Sequence, residues 1–255
     1  MGRPELSPPC PGWQADLPGP TNVPNVNVSL GNEGPNYQDD VYLEVSRESM
    51  RRRGVLVLYS VFLICVTMEF ASRPPNWSGD DLSWMFIWPV AILLMTWICT
   101  FMFKLDVSPP RDLPIRFNRA RQRIYAYNFK YRWWNPFERW RVVPVAYDWA
   151  QVRAERWKMR GATPQGAIIF KWGVVLSIVK PGTNEVIDRF PLSTMGADEF
   201  AWAYICTYMQ QGPEALPPPG PPCDHNDVPW YNLALRLAPK VKWPADMDRE
   251  SRTAP

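Results

Sequence analysis

Two uninterrupted apolar runs, Gly54 to Ser72 and Leu82 to Phe103, constrain this chain more than any other feature. The first holds one charge, Glu69, close to its far end, and the second holds none over 22 residues. At the helical rise they reach roughly 28 and 33 Å, close to the roughly 30 Å hydrocarbon thickness of a bilayer. A secretory signal would lie at the extreme N-terminus with a shorter apolar core. The first run starts some fifty residues in. Separated only by the polar loop "RPPNWSGDD", the runs predict a transmembrane helical hairpin over 54–103, with spans 54–72 and 82–103, rather than two buried core helices.

The flanks set the orientation. Arg47, Arg51, Arg52 and Arg53 precede the first run, and Lys104, Arg111, Arg116, Arg119, Arg121 and Arg123 follow the second. The connecting loop offers only Arg73 against Asp80 and Asp81. The positive-inside rule then puts both termini in the cytoplasm, with Trp77, Trp84 and Trp88 at the outer interface. Pro89 is expected to bend the second span near its outer end. Glu69 invites an ion-path reading, but it lies three residues from the end of its run, where snorkelling to the headgroups costs little.

Charge is segregated along the chain. Residues 1–49 carry 2 basic and 7 acidic groups, and residues 104–160 carry 14 basic and 5 acidic. Such asymmetry points to contact with something anionic. Residues 1–40, rich in Pro, Gly and Asn, lack an apolar period and read as a disordered arm. A juxtamembrane segment, 41–53, would follow as a short strand or helix. Residues 104–212 read as a β-rich domain. "LPIRF" and "RIYAYNF" form a hairpin, "RVVPVAYDW" a strand whose Pro144 favours an edge, and "QVRAERWKM" either strand or helix. "AIIFKWGVVLSIVK", the turn "PGTN" and "EVIDRFPL" continue the meander. A helix over 197–211 closes the domain, with acidic residues at its start and Gly212–Pro213 at its end. Residues 213–255 form a proline-rich tail that could dock one short apolar segment, with a loose end. The expected fold is a membrane-anchored α+β protein: a two-helix transmembrane hairpin, then an antiparallel, pleckstrin-homology-like cytoplasmic domain with a C-terminal helix.

Catalytic signatures are missing. His225, the one histidine, lies in "CDHND", where adjacent Cys223, Asp224 and Asp227 point in different directions and no second cluster adds ligands. Neither a G-x-x-x-x-G-K-[ST] loop nor a G-x-G-x-x-G fingerprint occurs. The five cysteines, at 10, 65, 99, 206 and 223, form no paired pattern. We therefore expect neither enzyme activity nor a metal or cofactor. The unusual stretch is basic and aromatic: Arg116, Arg119, Arg121, Arg123, Lys130, Arg132, Trp133, Trp134, Arg139, Trp140 and Arg141. Beside an anionic leaflet each cation gains about 1 kcal/mol and tryptophans settle at the interface. Arg, Trp and Tyr also dominate protein-interface energetics. Membrane lipids and a protein partner are thus the expected contacts, and nucleic acid is not.

The proline-rich head, the two close spans and the segments "LPIRFNRARQRIYAYNF", "VAYDWAQVRAE", "TNEVIDRFPLS" and "EFAWAYICTYMQQGPEALPPP" together resemble a bacterial domain-of-unknown-function family encoded near type VI secretion effectors. The resemblance spans about residues 40–222. It implies a multi-pass inner-membrane immunity or accessory protein that binds a cognate toxin through its cytoplasmic domain, with no catalytic residues to carry over. The alternative expectation is a structural or anionic-lipid-binding module in envelope or secretion-machine assembly.

Overall fold

β-branched and aromatic residues fit a pleated, half-buried surface, and after residue 113 they recur often enough to build most of two sheets. The computed structural model describes residues 3–22, 26–30, 34–47, 53–74, 83–132, 134–162, 168–192, 199–220, 224 and 226–255. Arg51, Arg52, Trp77, Asp80, Asp81, Trp133, residues 197–198, Cys223 and His225 lie outside the described residues, as does the side chain of Trp84.

In chain order the strands are β1 (Trp13–Asp16), β2 (Tyr37–Gln38), β3 (Tyr42–Val45), β4 (Ile115–Asn118), β5 (Arg123–Lys130), β6 (Arg141–Asp148), β7 (Val152–Ala162), β8 (Ile168–Val179) and β9 (Val186–Pro191). The helices are α1 (Val55–Ser72), α2 (Ser83–Val107), α3 (Glu199–Gln211), α4 (Leu233–Leu237) and α5 (Ala245–Arg252). Two antiparallel sheets result, ordered β1-β7-β8-β9 and β2-β3-β4-β5-β6. Pro144 lies in β6, an edge strand, opposite Tyr127, where its missing N–H costs no ladder bond. The segment that could have been strand or helix is β7. At the corner between the sheets, Asp148 caps a 3-10 turn, Trp149–Gln151, before β7 begins.

The inner faces of the two sheets meet around Leu43, Phe117, Ile124, Val174, Leu176 and Ile178, and α3 closes the core with Trp202, Ile205 and Tyr208. Trp149 sits edge-on to Phe117 at 6.0 Å between ring centroids and packs on Trp202 at 5.4 Å. These buried indoles need acceptors, and the proline-rich arm supplies them. Trp149 Nε1 donates to Pro20 O at 3.2 Å and Trp202 Nε1 to Pro18 O at 2.9 Å.

That arm corrects an expectation. Residues 1–40 contribute β1, paired with β7, and β2, paired with β3. They are also pinned by a buried carboxylate. Glu155 accepts from Cys10 N at 2.9 Å, from Ser177 Oγ, and from Arg189 Nη2 at 2.9 Å. The tail also departs from its expected looseness, because α5 packs against β4 and β5 and buries Ser251.

β3 pairs in register with β4, Leu43 opposite Phe117 and Val45 opposite Ile115. Both apolar helices are therefore inserted between two neighbouring strands of one sheet. They are long and apolar enough to span a membrane. In α1 only Val57 and Ser60 are buried, and among the described side chains of α2 only Cys99 and Asp106. They are not core helices of this domain. Glu69 forms an i,i+4 ion pair with Arg73 at 2.5 Å at the exposed end of α1.

Candidate functional site

α2 continues past the apolar run through Lys104–Val107, which carries Asp106 back over the start of α1. Its carboxylate Oδ2 accepts from Gly54 N at 2.8 Å and Val57 N at 3.1 Å. A carboxylate from one helix thereby satisfies orphan amides, and the positive dipole end, of the other. The reverse contact comes from Arg53, whose Nη2 donates to Asp106 O at 2.8 Å and Pro109 O at 2.7 Å. These reciprocal caps tie the bases of the two helices to each other and to Pro109, on the segment that leads into β4. Arg47 works similarly, donating to Leu113 O, Asn128 Oδ1 and Tyr127 O at 2.7, 2.9 and 2.7 Å.

The basic, aromatic stretch splits into two parts. Its first part is covered by the C-terminal segment. Arg116 is 1% exposed. It pairs with Glu44 and with Asp248 at 2.7 Å, donates to Ser251 Oγ at 2.8 Å, and lies 4.6 Å from the Trp243 ring centroid. Arg121 donates to Thr253 O at 2.9 Å and Ala254 O at 2.7 Å, and Arg123 pairs with Glu250. Burial pulls the Glu250 carboxyl upward, but Tyr125 and the Arg123 guanidinium beside it prevail and hold it below the usual carboxylate range. Arg119 is half-buried beside Gly212, whose φ of 92° favours glycine and where a Cβ would meet the guanidinium at 3.2 Å. In this fold Arg116 presents no charge to a partner, Arg121 presents its charge to the carbonyls just after α5, and Arg123 pairs with Glu250 of α5.

The second part, Lys130 to Arg141, connects β5 to β6 beside the base of α2. Trp140 is buried there, edge-on to Phe101 at 6.3 Å, with Lys104 Nζ 5.0 Å from its ring centroid. Lys104 also donates to Glu138 O at 2.9 Å. Around this anchor Lys130, Arg132, Trp134, Arg139 and Arg141 are exposed. Arg132 lies over Trp134 at 5.8 Å and 3.5 Å from Glu138.

Sequence reasoning missed two features. Trp230 and Tyr231, 83% and 73% exposed, precede α4, which packs on α2. Asn232 caps α4 through Leu235 N at 3.1 Å and donates to Arg53 O at 2.9 Å. The only signal was "VPWYNLALRL", an apolar segment whose docking place the sequence does not reveal. The second feature is a cleft of about 560 Å³ between β2–β3 and the tail, lined by Tyr37, Tyr42, Glu44, Arg116, Trp243 and Arg252 among others.

Cys10 and Cys206 are buried. Burial, then Glu155, pushes the Cys10 thiol up to about 12, and burial pushes Cys206 to about 12. Neither is a thiolate near neutrality. Among the described residues no group of three or more His, Cys, Asp or Glu could hold a metal ion.

A family model described as "Family of unknown function (DUF6708)" matches residues 92–255, more than half of the chain. The chain belongs to the DUF6708 family. The DUF6708 match begins inside α2 and runs through α5, so it reaches further into the tail than the expected 40–222 and starts later. β1, β2 and β3 fall outside it although they complete both sheets. The DUF6708 description names no activity, source organism or secretion system. Comparison with curated proteins and comparison with solved structures each returned no match.

Proposed function

We propose that this DUF6708 protein is a non-enzymatic membrane protein, crossing the bilayer twice, whose β domain sits in the cytoplasm and binds another protein. The observation that carries this reading is the insertion of both apolar helices between β3 and β4. An even number of spans returns the chain to the side it left. The arginines and lysine at the base, Arg47, Arg53, Lys104 and Arg111, favour the cytoplasm for that side. The finer fold reading, a pleckstrin-homology-like barrel, draws support from the order of four strands (β3–β6), three strands (β7–β9) and a closing helix, with the spans in the first strand connection.

The resemblance noted from sequence suggests which protein is bound: a cognate type VI secretion toxin of a bacterial cell, occluded stoichiometrically by an immunity or accessory protein of the inner membrane. Two measurements test the proposal. A reporter fused after Pro255 should be active only in the cytoplasm, and the solubilised protein should copurify with the product of the adjacent gene and protect against it. Reporter activity confined to the periplasm would overturn the orientation. Absence of both copurification and protection would overturn the partner. The alternative, a structural or anionic-lipid-binding module, is favoured by one observation, the exposed cationic and aromatic loop anchored to α2 through Trp140 and Lys104.

A further inference from the structure

Two exposed aromatic projections flank the base of the helical pair, and each is tied to it by specific contacts. One is the β5–β6 connection, where Tyr131, Trp134 and Phe137 are 50, 55 and 72% exposed, held to α2 through Trp140 against Phe101 and Lys104 on Glu138 O. The other surrounds α4, where Trp230, Tyr231 and Leu237 are exposed, held by Asn232 on Arg53 O and by Arg111 on Leu235 O at 3.1 Å. Indole and phenol rings with one apolar and one polar side settle at the headgroup level of a bilayer. The β5–β6 projection adds four exposed cations, Lys130, Arg132, Arg139 and Arg141.

We propose that these two projections form a collar that seats the domain on the bilayer, with the β5–β6 side taking anionic phospholipid headgroups. Continuity chooses this occupant. The anchoring contacts run to the last two turns of α2, to Arg111 just beyond its end and to Arg53, two residues before α1, where the apolar helical surface gives way to charge. The cations fit phosphate by sign, and the rings fit the acyl–headgroup boundary. The proposal deepens the two-span reading and rests on it. It is independent of any protein partner bound away from the helices, because it uses only the face turned toward them.

The test uses the full chain in nanodiscs of phosphatidylcholine, with and without phosphatidylglycerol, carrying fluorine-labelled tryptophan. The substitutions Trp134→Phe, Trp230→Phe and Trp97→Phe assign the three resonances. Lipid spin-labelled at the headgroup should enhance the relaxation of Trp134 and Trp230 severalfold, whereas lipid labelled deep in the acyl chain should act on Trp97. Addition of phosphatidylglycerol should strengthen the effect at Trp134, and Lys130→Gln, Arg139→Gln and Arg141→Gln together should abolish that increment. If Trp97 responds to lipid while Trp134 and Trp230 respond only to a soluble paramagnetic chelate, the collar is overturned and the spans stand. If Trp97 also fails to respond, both fall. Protection of Trp134 and Trp230 from chelate and lipid alike would assign the face to protein contact and overturn the lipid proposal.

Discussion

Arg116 is the residue at which local sequence and fold diverge most. Between Ile115 and Phe117 on a strand, an arginine reads as an outward-facing charge, yet all four residues of β4 are buried. The reason is remote: α5, more than a hundred residues on, covers the outer face of that strand and supplies Asp248 and Ser251. Glu44, its other partner, is 6% exposed at the side chain. Arg116→Ala should therefore destabilise the protein by about 3–5 kcal/mol, because it strands a buried carboxylate. Arg116→Met combined with Glu44→Leu should recover most of the loss, and urea unfolding of the solubilised chain measures both. Arg116→Lys should fail to rescue, since a single ammonium cannot span the positions the guanidinium fork occupies. At the base of the helices, Asp106→Ala should remove the cap of α1 and cost about 1–2 kcal/mol. Asp106→Asn, which still offers an acceptor oxygen, should lose less, as read by thermal melting of the helical circular dichroism signal.

Legibility varied by element for physical reasons. α1, α2, β4 to β6, β8 and β9 announce themselves through long apolar runs, β-branched and aromatic content and turn residues such as the Gly182 of "PGTN", which adopts φ 73°, whereas the sequence of β7 left strand and helix open. β1 and β3 are four residues long, and their partners β7 and β4 lie outside any window of local sequence; β2, two residues long, pairs only with β3. The charge pattern singled out the stretch Arg116 to Arg141 but could not tell its covered part from its open part. α5 is polar almost throughout, and ion pairs rather than an apolar face hold much of it. Its attachment should consequently depend on pH. The folded-state acidity of Glu250 is displaced below the carboxylate norm, so its contribution is present at neutral pH and is lost as pH falls through that depressed value. Amide exchange in Ala245–Arg252, corrected for intrinsic rate, should accelerate on acidification before the core strands do. Glu250→Gln should give the acidified behaviour at neutral pH.

For the molecule as a whole, the site of the helical insertion decides what can be separated from what. Val45 and Ile115 face each other across the sheet, so a short Gly-Ser linker replacing residues 54–107 should bridge β3 to β4 and yield a folded protein that remains in the supernatant without detergent. Retained near-ultraviolet circular dichroism checks the fold, and sedimentation checks the solubility. By contrast, a fragment of residues 104–222 lacks β1, β2, β3, α4 and α5, and it should give no cooperative unfolding transition because Leu43, Glu44 and Trp243 are gone from beside β4. Seen during synthesis, the same geometry delays the sheet until both apolar helices have been made. β3 leaves the ribosome before either helix and must wait, with only the short β2 beside it, until both greasy segments and then β4 have followed. A nascent chain stalled halfway would display raw strand edges to proteases, and only one that has delivered both segments can close over them.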